Sequence, residues 1–127
     1  MSPQAIPIVR LVVLVPESHA DIVRESIGQT GAGKIGHYKY CSFSIKGVAR
    51  FIPEEGAHPV IGQIGQLGKV EEEEIEVVCS ENHVEIVIDA IRKVHPYDEI
   101  PIFTIPLTMR VIKNQSYQNP SITQYIP

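Results

Sequence analysis

The chain has 127 residues, 43% of them hydrophobic and 20% charged, with a net charge of −4 at neutral pH. That length suits one globular domain able to hold a core without disulfide or metal staples. The acidic balance, with its eleven Lys and Arg scattered, argues against nucleic acid as a partner, and no apolar run approaches the ~20 residues of a membrane helix.

Residues 1–7 lack the basic flank and apolar centre of a signal peptide. Cys41 and Cys79 sit in apolar runs and read as buried, reduced thiols, so the expected location is cytoplasmic.

Residues 8–15, Ile-Val-Arg-Leu-Val-Val-Leu-Val, are nearly continuous aliphatic sequence, the pattern of a central buried strand. Pro16 ends it, and Ser18 followed by Asp21 reads as an acidic capping box. Ala20, Val23 and Ile27 recur at helical spacing, and Gly28, Gly31 and Gly33 stop the helix. Residues 37–45 are predicted as a second strand, with Cys41, Phe43 and Ile45 on one face and Tyr38, Tyr40, Ser42 and Ser44 on the other. Residues 47–68 form a Gly- and Pro-rich connection of a length that is commonly functional. Its Phe51, Val60, Ile61, Ile64 and Leu67 predict packing against another surface, a second subunit included.

Residues 70–79 are predicted as a third strand, with Ile75, Val77 and Cys79 toward the core and Glu72, Glu74 and Glu76 opposite. Ser80 is placed to cap the next helix, whose stripe is Val84, Val87, Ile88 and Ile91. Pro96 ends that helix, and residues 100–107 form a fourth strand kept at an edge by Pro101 and Pro106. The order β-α-β-β-α-β defines an α+β, ferredoxin-like sandwich over residues 1–107, an antiparallel sheet with two helices on one face. The other face is left for assembly. Residues 108–127 form a tail that either adds an edge strand or docks on a neighbouring subunit.

Several segments then match one family in order. They are Val15-Pro16-Glu17-Ser18-His19-Ala20-Asp21, Gly31-Ala32-Gly33-Lys34-Ile35-Gly36-His37-Tyr38 and Cys41-Ser42-Phe43-Ser44. Arg50-Phe51-Ile52-Pro53, Glu55-Gly56-Ala57-His58-Pro59, Ile61-Gly62 and His95-Pro96-Tyr97-Asp98-Glu99 follow. Together they resemble the domain inserted in NGG-interacting-factor-three-like (YqfO-type) proteins, also called type-two GTP cyclohydrolase I. That domain is itself similar to CutA and PII proteins. The resemblance implies a homotrimer with ligand clefts between subunits, binding a small ligand or a divalent metal ion. The two-metal site of full-length relatives lies in flanking halves outside this sequence, so the resemblance carries no hydrolase chemistry and implies a binding or sensing module, not an enzyme. The sequence departs from the family at Val48-Ala49, where a further glycine is usual, and at His37 and His58, where asparagine is common.

Of the five histidines, none has the helical i, i+4 spacing of a recognisable metal motif. A divalent site would have to be assembled in space, from His37, Cys41 and His95. His19 belongs to a first helical turn, and His83 reads as exposed. Arg50 can hold an anion through its guanidinium fork or pair with a neighbouring Glu. The glycines at 31, 33 and 36 leave a helix and enter a strand, so they read as turns and not as a phosphate cradle. Glu71 to Glu74 read as a solvated strand entrance. Asp98 and Glu99, adjacent on an extended segment, point apart, and neither Ser42 nor Cys41 has a base-and-orienter arrangement. His95-Pro96-Tyr97 is the strongest site candidate, either lining a cleft or packing at a subunit boundary. The ligand-binding set is therefore Tyr38, Arg50, His95 and Tyr97. A second reading is an interaction protein that docks through the open sheet face and the 47–68 segment.

Overall fold

In the computed structural model, which describes residues 7–114, the valine-rich run becomes β1 (Ile8–Pro16), one of two strands with neighbours on both sides. It pairs antiparallel with β3 (Gly68–Ser80) and with β4 (Ile102–Leu107), and β3 pairs with β2 (Phe43–Phe51), giving the order β2-β3-β1-β4. The register sets Ile8 opposite Leu107 and Val13 opposite Ile75. Helices α1 (Glu17–Gln29) and α2 (Val84–Val94) pack on one face. The expected α+β ferredoxin-like arrangement is what the chain adopts. No helix among the described residues is long and apolar enough to cross a membrane.

Alternation along the strands builds the core. Val9, Leu11, Val13 and Val15 of β1 and Ile75, Val77 and Cys79 of β3 point toward the helices and are buried. Ala20, Val23 and Ile27 of α1 and Val87 and Ile91 of α2 meet them, as their helical spacing predicts. Burial raises the Cys79 thiol above its ordinary range, keeping it protonated and inert.

The second strand is displaced from its predicted place. Residues 37–42 are not strand, and β2 starts at Phe43 and runs through Phe51. The cause is local backbone geometry. Gly33 has φ 80°, Gly36 has φ 56° and Tyr40 has φ 61°, left-handed values that no extended strand contains. Ile35 and Tyr38 exchange both backbone hydrogen bonds at 2.9 Å, closing a tight turn instead. A Cβ on Gly33 would overlap the Cys41 carbonyl, so that turn is open only to glycine. Residues 47–51, expected in the connection, pair instead with residues 68–72, and the connection shortens to residues 52–67.

The caps also differ. Ser18 makes no cap hydrogen bond; its hydroxyl meets His19 Nδ1 at 2.8 Å, and Pro16 occupies the cap position. Ser80 Oγ bonds Asn82 Oδ1 at 2.7 Å ahead of a 3-10 turn (Glu81–His83), so it caps nothing. Gly28 lies inside α1, where a Cβ would strike the Tyr40 ring; the helix ends at Thr30 and Gly31. His83 is half-buried, donating through Nε2 to the Thr30 carbonyl at 2.7 Å. Residues 108–114 contain no strand, and the remainder of the predicted tail, residues 115–127, lies outside the described residues.

Candidate functional site: a cleft at the end of the sheet

Where β1 ends and β3 begins, four segments converge on a cleft of about 370 Å³. Leu14 of β1 and Pro101, just ahead of β4, form its floor, with Glu72 of β3 beside them. The end of β2, Ala49 to Phe51, makes one wall, and Tyr97, Asp98 and Glu99 make another. Pro53, Ala57 and Val60, from the connection that follows β2, complete the lining. That connection is tied down at two points. The His58 amide donates to Asp98 Oδ2 at 2.9 Å, and the Gly65 amide donates to the Pro53 carbonyl at 2.8 Å. The first contact holds the Asp98 carboxyl below its ordinary range, so it is ionised.

His95 positions the Tyr97 wall. Pro96 stops α2, and the His95 amide makes the closing bond to the Ile91 carbonyl at 2.9 Å. His95 is 7% exposed, and its ring uses both nitrogens. Nε2 lies 2.7 Å from the Leu14 carbonyl, which can only accept, so Nε2 carries the proton. Nδ1 is then free to accept the Tyr97 amide at 3.2 Å. Desolvation is the largest influence on this ring and lowers its pKa, in keeping with a neutral imidazole. The Tyr97 ring meets His95 edge-on at 4.9 Å between centroids.

The Tyr97 hydroxyl donates to Glu72 Oε2 at 2.6 Å. Burial, and then the bond to Glu72, push its pKa well above the ordinary phenol range, so it remains a donor. Glu72 is 7% exposed. The acidic run is thus solvated at Glu71, which is exposed, but not at Glu72. Its next member, Glu73, is also buried and pairs with Arg24 at 2.6 Å; that guanidinium also bonds Ser44 Oγ at 2.9 Å and Asp21 at 2.6 Å. Alternation sends Glu72 to the open face and Glu73 under the helices.

The predicted site residues divide between the two ends of the sheet. Arg50 and Tyr97 line the cleft, and His95 stands behind it as a brace. Arg50 makes no ion pair among the described residues. Tyr38 and His37 lie in the exposed turn that follows α1, and Cys41 is half-buried there. The Gly33 amide bonds the Val78 carbonyl and anchors this region at the far end of β3. His37, Cys41 and His95 are therefore not brought together within one chain. Among the described residues no group of three or more His, Cys, Asp and Glu could hold a metal ion. Sequence reasoning missed Glu72, the cleft's buried carboxylate. Its only signal is its place in a strand pattern one residue from an oppositely directed Glu.

This arrangement defines an α+β fold of the CutA kind. CutA1 from Oryza sativa superposes with a TM-score of 0.59 at 17% identity, over 88% of this chain and 87% of that one. CutA from Archaeoglobus fulgidus, a periplasmic divalent cation tolerance protein, superposes at 0.62 with 14% identity, covering 91% and 98%. No protein-family model matches the chain. More particularly, the chain is homologous to the CutA/PII-like domain of NIF3-type proteins. It is 48% identical over 98 residues to the GTP cyclohydrolase 1 type 2 homolog of Halalkalibacterium halodurans, spanning 77% of this chain and 26% of that protein. The Bacillus subtilis counterpart is 40% identical over 101 residues, 80% of this chain and 27% of its own length. The structure of a Bacillus cereus protein related to NIF3 superposes at a TM-score of 0.74 with 38% identity, covering 84% and 27%. The chain spans about a quarter of the length of the curated relatives it matches.

Proposed function

We propose that the chain is the subunit of a trimeric binding module that takes a small ligand in the cleft, responds through residues 52–67 and catalyses no reaction itself. The cleft carries this reading. It combines an apolar interior with a few fixed polar groups, the composition by which small-molecule sites orient a ligand. Trimerisation is supported by the face opposite the helices, where Phe43 is 64% exposed, Ile45 50% and Phe103 51%. Large apolar side chains left this exposed on one sheet face fit an interaction surface. A divalent ion, the other ligand class suggested by the sequence, would need donors from two subunits.

Val60 and Leu67, 62% and 63% exposed on the connection, favour a second reading, in which that segment docks on a partner protein. Native mass spectrometry and calorimetric titration with small organic ligands, nucleotides and divalent metals distinguish the two. A trimer that binds one of these classes supports the module. A trimer silent toward all of them favours docking, and a monomer removes the assembly from both.

A further inference from the structure

The lining of the cleft says more about its ligand than its shape does. Its charged members are three carboxylates, Glu72, Asp98 and Glu99, and a single guanidinium, Arg50. Glu72 is buried, and the Tyr97 hydroxyl engages only Oε2; Oε1 has no hydrogen-bond partner among the described residues. Asp98 is ionised by the His58 amide. Between these acids the surface is apolar, from Leu14, Phe51, Pro53, Val60 and Pro101. A phosphate-bearing or carboxylate ligand would meet net negative charge at short range. A neutral apolar ligand would strip water from Glu72 without replacing it. A bare metal ion would find no converging set of donors among the described residues.

We infer that the cleft takes a small organic cation, a primary ammonium carried on a compact apolar body. The ammonium donates to Glu72 Oε1 beside the Tyr97 hydroxyl, with Asp98 and Glu99 adding attraction from the rim. The apolar body lies between Phe51, Val60 and Pro101. Charge-assisted bonds of this kind are short and directional. The inference rests on the binding-module reading above and names the ligand class for that site.

The test uses the full chain and a matched pair of probes, phenethylammonium and 3-phenylpropanoate, which share an aromatic body and differ in charge. Titrations followed by amide NMR should show saturable shifts at Phe51, Val60 and Tyr97 with the cation and none with the anion. Glu72→Gln keeps an acceptor for Tyr97 and removes the charge; it should weaken the cation by about tenfold or more. Should that variant fold poorly, Glu99→Gln at the exposed rim should weaken binding by a smaller factor, and added salt should weaken it in the wild type. Equal or tighter binding of the anion overturns the inference and leaves the module standing. So does silence toward both probes in a protein that binds nucleotides or divalent metals. Silence toward every probe overturns both.

Discussion

The helix-covered face and the open face of the sheet are built from alternate residues of the same strands, yet they meet different fates. On the covered face Leu11, Val13, Val15 and Ile75 have no exposed surface, and the one buried charge, Glu73, is matched by Arg24. On the open face Phe43, Ile45 and Phe103 stand half-exposed or more, Arg10 pairs with Glu76 across two strands at 3.2 Å, and Glu72 finds its partner only at the cleft. One face is complete within the described residues, whereas the other keeps aromatic and aliphatic side chains that no described residue covers. A strand of period two can thus serve two cores at once, and the second is the one that assembly would close.

The most disruptive test of this contrast is a charge on the open face. Phe103→Asp should convert the proposed trimer to a folded monomer, since association would have to desolvate an unpaired carboxylate on each subunit. Light scattering reports the mass and circular dichroism the fold; an unchanged mass would mean that the open face is not the interface. Next in size is a truncation beneath the helices. Leu11→Ala should lower unfolding stability in urea by about 3 kcal/mol, within the usual range for an emptied core site. In the Phe103→Asp background, Ile45→Ala on the open face should cost under about 1 kcal/mol, because little of that side chain leaves water. A comparable cost at both positions would erase the distinction between the faces.

Smaller effects probe the boundary between the faces, at the cleft. Tyr97→Phe removes the donor to a buried carboxylate and should cost about 1–2 kcal/mol, read from the shift in urea midpoint. No change would show that water replaces the hydroxyl freely. The smallest effect is the pH response of His95. Its pKa is lowered in the folded protein, so below its ordinary value of 6.5 the unfolded chain takes up a proton that the folded chain resists. Stability is complete above about pH 6.5 and falls as the pH drops through the interval down to the folded value. His95→Gln should flatten that part of the melting curve's pH dependence. The response of Asp98 lies lower, below its ordinary value of 3.8, because its pKa is lowered and its stabilising bond is lost on protonation.

The sequence carried the covered face far better than the open one. Strand β1, both helices and the core side of β3 follow from apolar spacing, which is local and periodic. The start of β2 did not, because the alternation of Tyr38, Tyr40, Ser42 and Ser44 with their neighbours imitates a strand, while the left-handed backbone of Tyr40 forbids one. Arg50 stands out in the sequence for its guanidinium fork and Tyr97 for the His95-Pro96-Tyr97 segment, and both side chains line the cleft. Glu72 does not stand out, since its partner is distant in sequence and a run of four glutamates reads as solvent-facing. The His95 ring was legible as a polar group at a helix end, but its bond to Leu14 joins residues 81 apart, a closeness that only the fold creates.

The pairing of Ile8 with Leu107 sets the first residue of β1 beside the last residue of β4. Cα atoms paired in this way lie about 5 Å apart. To a longer polypeptide continuing on both sides, the whole unit looks like a loop whose two stems are one strand spacing apart, a geometry that permits domain insertion without stretching the host. The matched segment makes up about a quarter of the length of the relatives, and a join of this geometry demands almost nothing of a chain around it.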